Sequence, residues 1–200
     1  MDNLIQRARN GDGDAFAALF EHSKQPLWRA AMAVLGNVED ASDALQETAV
    51  KAWRAMPRFG GRSAVGTWFM RILLRTCYDF RRARTHETPY AMGGFNIDVD
   101  GADVSWEPSA DQVLAGGVAA HGADRDEALD VRDALGRLTV DDRLVLVLFY
   151  VNDFPVRQIS QIMNVSEGAV RTRLSRARDR FKVAYEDEPR EFQEKAEVAR

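Results

Sequence analysis

The stretch from Thr85 to Asp126 constrains this 200-residue chain more than any other. It is rich in Gly, Ala and Asp, carries Gly93-Gly94 and Gly116-Gly117, and keeps neither a helical nor a strand period. That combination describes a flexible, acidic linker. A structureless connection of about forty residues does not fit inside one compact domain, so the chain is expected to fold as two. The expected boundaries are a first domain at 1–84, the linker at 85–126, a second domain at 127–185, and an acidic tail at 186–200 that is a frayed end or a short solvated helix.

Both flanking blocks read as helical, which makes the expected fold class all-α. Asp14 is a candidate cap for a helix carrying Phe16, Leu19 and Phe20, which resumes after Pro26 and stops at Gly36-Asn37. From Val38, the residues Ala41, Ala44, Leu45, Thr48, Ala49, Ala52 and Trp53 share one face at helical spacing until Pro57. After the Gly-rich loop Phe59 to Gly66, Thr67 is a candidate cap for a long helix reaching about Arg84. In the second block a helix is expected near 127–137. Thr139 then precedes DDRLVLVLFYV, an apolar run that periodicity alone leaves open between strand and helix; the cap and the early acidic residues favour helix.

Charge follows the same segmentation. The formal total is −4, which read alone argues against nucleic-acid binding. By segment the balance is +4 over 1–84, −7 over 85–126, +2 over 127–185 and −3 over 186–200, so the acidity sits outside both helical blocks. No run approaches the ~20 apolar residues of a membrane span, and the N-terminus lacks the apolar core of a signal peptide, so no membrane insertion is expected. A single cysteine, Cys77, and three scattered histidines offer neither an internal disulfide nor a zinc site, which fits a reducing cytoplasmic compartment. No catalytic constellation or Walker-type loop is present, and neither enzyme activity nor a cofactor is expected.

Three constellations remain. In FPVRQISQIMNVSEGAVRTRLSRARDRF, Ile159, Ile162 and Met163 give one short helix an apolar face, Asn164-Val165-Ser166 turns, and Ser166 caps a second helix. There Val170, Leu174, Ala177 and Phe181 form the buried stripe. At about 100° per residue, Arg171, Thr172, Ser175 and Arg176 point away from it, with Arg173 and Arg180 on one flank and Arg178 on the other. This is the arrangement of a helix-turn-helix that reads base edges from its centre and holds phosphates from its flanks. An arginine-rich solvated face is the plainer alternative.

On the helix from Thr67, Trp68, Arg71, Arg75, Tyr78 and Arg82 fall within an arc of roughly 80°, beside a core arc of Phe69, Ile72, Leu73, Thr76, Cys77 and Phe80. Alternating rings and guanidiniums suit a single nucleic-acid strand, but the rings are equally suited to finishing a core edge. Asp40, Asp43 and Glu47, with Gln46 beside them, line one face of the 38–56 helix. Helix-dipole complementarity and Lys51 four residues after Glu47 explain them structurally; a basic protein partner explains them functionally.

The order VEDASDALQETAVKAW, RFGGRSAVGTWFMRIL, spacer, LTVDDRLVLVLFYVNDFPVRQISQIMNVSEGAVRTRLSRAR resembles the bacterial RNA polymerase sigma factors of the extracytoplasmic function group, over about 130 residues. The first block resembles sigma region 2 and the second region 4. The resemblance implies that Asp40, Asp43, Gln46 and Glu47 bind the clamp helices of the polymerase β′ subunit. It further implies that Trp68, Arg71, Arg75 and Thr76 act on the −10 element, and that the loop containing Arg62 and Ser63 receives a flipped non-template base. Arg171, Thr172, Ser175 and Arg176 match positions that read the −35 element. Core RNA polymerase (β′ clamp helices and β flap), promoter DNA and an anti-sigma protein are the implied partners, and the linker would follow the RNA path. Thr76 stands where many members carry Asn, Gly66 where a larger residue is common, Ala49 for a frequent Phe, and Pro155 for a usual Ser or Thr.

Overall fold

A computed structural model describes residues 1–84 and 125–186. Every regular element among the described residues is helical. In the first half these are α1 (Asp2–Arg9), α2 (Gly13–Leu35), α3 (Val38–Ala55), a 3-10 turn (Met56–Arg58) and α4 (Val65–Arg84). The second half holds α5 (Arg125–Arg137), α6 (Val140–Leu146), a π-helical turn (Val147–Val151), α7 (Val156–Met163) and α8 (Glu167–Glu186). The expected linker lies outside the described residues except for its last two, which begin α5, and the expected tail lies outside them after Glu186.

Local chemistry sets most of these boundaries. The cap of α2 is Asp12, not Asp14: its carboxylate accepts from the Ala15 amide at 3.0 Å and pairs with Arg7 at 2.7 Å. Those two donors hold the Asp12 carboxyl below the usual carboxylate range. Helix α2 then runs unbroken through Pro26, where the sequence pattern had suggested an interruption. Proline removes one helical donor and crowds the preceding turn, a cost of ~3 kcal/mol in a helix interior. Burial on both sides offsets it, since Leu19, Phe20, Leu27, Trp28, Ala30 and Ala31 are all in the core. Gly36 in the left-handed region closes α2, and Asn37 opens α3 by accepting from the Asp40 amide at 2.8 Å.

Alanines at 41, 44, 49 and 52 give α3 a small-residue face that lies close against α2 and α4. Phe16, Phe20, Trp53 and Phe69 fill the remaining space with edge-on contacts, at 5.1 Å for Phe16–Trp53 and 5.3 Å for Phe20–Phe69. Helix α4 begins two residues before Thr67, because the Trp68 amide bonds to the Ala64 carbonyl. Thr67 is therefore a buried first-turn residue rather than the cap, and its hydroxyl has no hydrogen-bond partner. Cys77 is fully buried, and burial pushes its thiol up to about 12.

In the second half Thr139 caps α6 through the Asp142 amide at 3.3 Å, and the apolar run that follows is helical. Five consecutive residues, Leu144 to Leu148, are buried, so no helical stripe was legible there. Pro155 occupies the cap position of α7 and its carbonyl accepts from the Gln158 and Ile159 amides, so proline costs this helix nothing. Asn164, at φ 53 and ψ 46, ends α7, and Ser166 caps α8 by accepting from the Ala169 amide.

The two helical units share one contiguous buried cluster. Helix α2 packs on α6 and the π turn, and α4 packs on α7. Hydrogen bonds across the junction include Arg29 to the Val151 carbonyl at 3.0 Å, Asn152 to the Pro26 carbonyl at 3.0 Å, Arg71 to the Gln161 carbonyl at 2.7 Å, and Tyr78 to Asp141 at 2.9 Å. If packing alone carries α2 through Pro26, the P26A variant gains about 1 to 3 kcal/mol in urea unfolding; an unchanged midpoint would mean that the ring contributes as much as it costs.

Candidate nucleic-acid interface

The α7–turn–α8 unit is a helix-turn-helix. Val170, Leu174 and Ala177 are buried against the preceding helices, and Phe181 is half-buried below them. Opposite this stripe, Arg171, Thr172, Ser175 and Arg176 are all exposed. Arg171 pairs with Glu167 one turn earlier at 2.9 Å, an exposed contact that yields readily to a stronger acceptor.

The flanking arginines have a second task. Arg173 donates to Asp141 at 2.9 Å and Arg180 to the buried Asp142, which pins α8 to the first turn of α6. The sequence pattern had given these two arginines to phosphates and the two aspartates only to a helix start. Arg178 bonds the Leu174 carbonyl.

On α4, Trp68, Arg71, Arg75 and Tyr78 are half-buried and Arg82 is exposed. Trp68 leans on Phe59 and Phe69 at ring separations of 4.9 and 5.3 Å, so one of its faces already completes the core. Asp79 pairs with Arg82. Thr76 is a correction: it is 0% exposed, and its hydroxyl accepts from Lys51 at 3.2 Å, so it has no surface to offer a base. The helical projection had placed it in the core arc; only the family resemblance put it at DNA.

Before α4, the loop after Phe59 borders a cleft of about 770 Å³ whose lining includes Arg9, Gly60, Ser63, Gly66, Met70 and Phe154. Gly61 there adopts φ +67, which favours glycine, and Arg62 stands exposed beside it. A methyl group at Gly66 would meet only the Ser23 hydroxyl at 3.7 Å, an ordinary contact, so alanine has room here.

The acidic face of α3 divides. Asp43 and Gln46 are exposed, and Glu47 is half-exposed in an ion pair with Lys51 at 2.6 Å. Asp40 is 7% exposed and accepts from the Asn37 side chain at 2.6 Å, completing the cap of α3. Its position makes it a structural carboxylate rather than a docking one. No metal-holding cluster occurs among the described residues, nor any helix long and apolar enough to cross a membrane.

Comparison with known proteins agrees with this geometry. Residues 19–87 match the family model for sigma-70 region 2, and residues 128–181 match that for sigma-70 region 4. The extracytoplasmic function (ECF) RNA polymerase sigma factor SigM of Mycobacterium tuberculosis is 31% identical over 172 residues, covering 86% of this chain and 77% of SigM. SigW of Bacillus subtilis is 27% identical over 185 residues, covering 92% and 95%. Among solved structures, CnrH in complex with the cytosolic domain of CnrY superposes with a TM-score of 0.65 at 23% identity, covering 93% of this chain and 97% of that one. RpoE of Bartonella quintana, in complex with the anti-sigma factor NepR, gives 0.58 at 24% identity over 82% and 93%.

The chain thus belongs to the sigma-70 family, in its ECF group. It is a factor that binds core RNA polymerase and directs initiation at specific promoters through regions 2 and 4.

The division of the acidic face has a direct check. D40A lowers the stability of the folded chain by about 1 kcal/mol through the lost cap contact, while D43A leaves the urea midpoint in place. Equal effects would return both carboxylates to the same role.

Proposed function

We propose that residues 1–84 dock on the β′ clamp helices and open the −10 element, and that 127–185 contact the −35 element and the β flap, with 85–126 joining them. The observation that carries this reading is the exposed quartet Arg171, Thr172, Ser175 and Arg176, aimed outward by the buried stripe behind it. Arg171 and Arg176 supply the planar forks that read guanine edges, and Thr172 and Ser175 supply short hydroxyls for bases or phosphates.

For the −10 element the working side chains are Trp68, Arg71 and Arg75, with Arg62 and Ser63 at the cleft that takes the flipped base. An unpaired base needs a stacking surface and a pocket, and Trp68 and the cleft supply them side by side. For the polymerase, Asp43 and Gln46 form the contact, with Glu47 joining once it leaves Lys51.

The factor is non-enzymatic and works in the bacterial cytoplasm, where polymerase and promoters are. An anti-sigma protein is its expected inhibitor; CnrH and RpoE, which share the fold, were both solved with protein partners, RpoE's being an anti-sigma factor.

Two measurements test this reading. R176A in the polymerase-bound factor costs about 1 to 3 kcal/mol in promoter binding and relaxes preference at one −35 position; an unchanged −35 selection profile refutes the assignment. D43K weakens association with core polymerase at unchanged helical circular dichroism, and full retention of core binding would make the acidic face structural.

A further inference from the structure

Two side chains fix the ammonium of Lys51. Its Nζ meets the Glu47 carboxylate, one turn earlier on α3, at 2.6 Å, and gives a second hydrogen bond to the Thr76 hydroxyl of α4 at 3.2 Å. Thr76 is fully buried, so the second bond lies beneath the surface of the bundle, while 31% of the Lys51 side chain and 43% of the Glu47 side chain remain exposed. An exposed pair of lysine and carboxylate is ordinarily weak, because the entropy of holding a long side chain still opposes the attraction. Here the bond to Thr76 already restrains the lysine, and the pair with Glu47 forms at a smaller entropic cost. The two carboxylates assigned above to polymerase therefore differ: Asp43 is open to a partner, and Glu47 is held by a cation of its own helix.

We infer that Lys51 competes with core polymerase for the Glu47 carboxylate, and is thereby a positioning residue that sets how tightly, and to which kind of cation, the factor docks. This rests on the reading that Asp43, Gln46 and Glu47 form the polymerase contact. A basic group arriving at Glu47 exchanges one ion pair for another and meets the like charge of Lys51 as it does so. Only the difference between the two pairs then appears as affinity. An ammonium acts on a carboxylate as a point charge, whereas a guanidinium supplies two parallel hydrogen bonds. Lys51 thus favours a partner that presents arginine at this position over one that presents lysine. When the factor leaves core, the ammonium retakes Glu47, and no carboxylate is left unpaired.

The test measures binding of the full chain to core polymerase without DNA, by fluorescence anisotropy of a label at the N-terminus. K51M keeps the apolar stem and removes the charge; the Thr76 hydroxyl then turns to a carbonyl of its own helix, one turn back. K51M is expected to bind core about threefold more tightly at low salt, the scale of one surface charge pair. K51R, which keeps the cation, binds no more tightly than the parent. K51Q, which keeps a donor for Thr76, takes the place of K51M if that variant fails to fold by circular dichroism.

E47Q, made alone and together with K51M, completes a double-mutant cycle. Competition requires E47Q to weaken core binding more in the K51M background than in the parent. An equal loss in both backgrounds overturns the proposal while leaving Glu47 a docking residue. No loss in either removes Glu47 from the polymerase contact, and the proposal falls with that reading. A folded K51M chain that binds core no better than the parent also overturns it.

Discussion

Helix α2 is the constraint on which the rest of the structure depends. It packs on α1, α3 and α4 within its own half, and on α6 and the π turn of the other. A helix buried on so much of its circumference needs small residues where neighbours approach and large ones where they do not. Ala15, Ala30, Ala31 and Ala33 alternate with Phe16, Leu19, Phe20, Leu27 and Trp28 to that effect. Its central position also explains why Pro26 is tolerated, since the helix is held from outside rather than by an unbroken ladder of its own bonds. Loss of α2 would remove the support of α3 and α4 and the seat of α6 together.

Asp141 makes a second, smaller junction. One carboxylate oxygen accepts from Tyr78 on α4, the other from Arg173 on α8, and the residue itself sits in the first turn of α6. A single side chain thereby links the helix assigned to the −10 element with the helix assigned to the −35 element. Whether the link forms depends on how the two units sit, while the Arg173 arm fixes α8 within its own unit. Orientation of the recognition helix is thus set by partners on α6, and its outward face is left for DNA.

The sequence carried the local logic well. Thr139 and Ser166 cap the helices they precede, Asn164 takes the turn, and the Val170–Leu174–Ala177 stripe is buried, because each follows from periodicity or from a bond spanning a few residues. Where the reading departed from the structure, a contact distant in sequence or a choice between adjacent equivalents was at work. Asp12 and Asp14 look alike as caps until Arg7 is placed beside one of them. Thr67 looks like a cap until the helix is seen to start earlier. Asp40 belongs to Asn37, and Thr76 to Lys51 across 25 residues. The acidic face appeared uniform in the sequence because spacing reports direction but not depth. The packing of one unit on the other left no signal: the bonds of Arg29, Arg71 and Asn152 end on main-chain carbonyls, which have no residue identity, and Tyr78 meets Asp141 across 63 residues.

The ion pairs on α8 also bear on how the protein meets DNA that is not a promoter. Binding to a duplex gains from displaced counterions only in proportion to the cations that reach phosphates. Of the basic residues on α8, Arg173 and Arg180 are neutralised by α6, and Arg171 and Lys182 have acidic neighbours on their own helix. The helix thus carries less effective positive charge than its arginine count suggests. Little is gained by settling on arbitrary chromosome, and the entropic reward for indiscriminate contact is low. Occupancy is then governed by polymerase and by base sequence, which suits a subunit that must leave one promoter and find another.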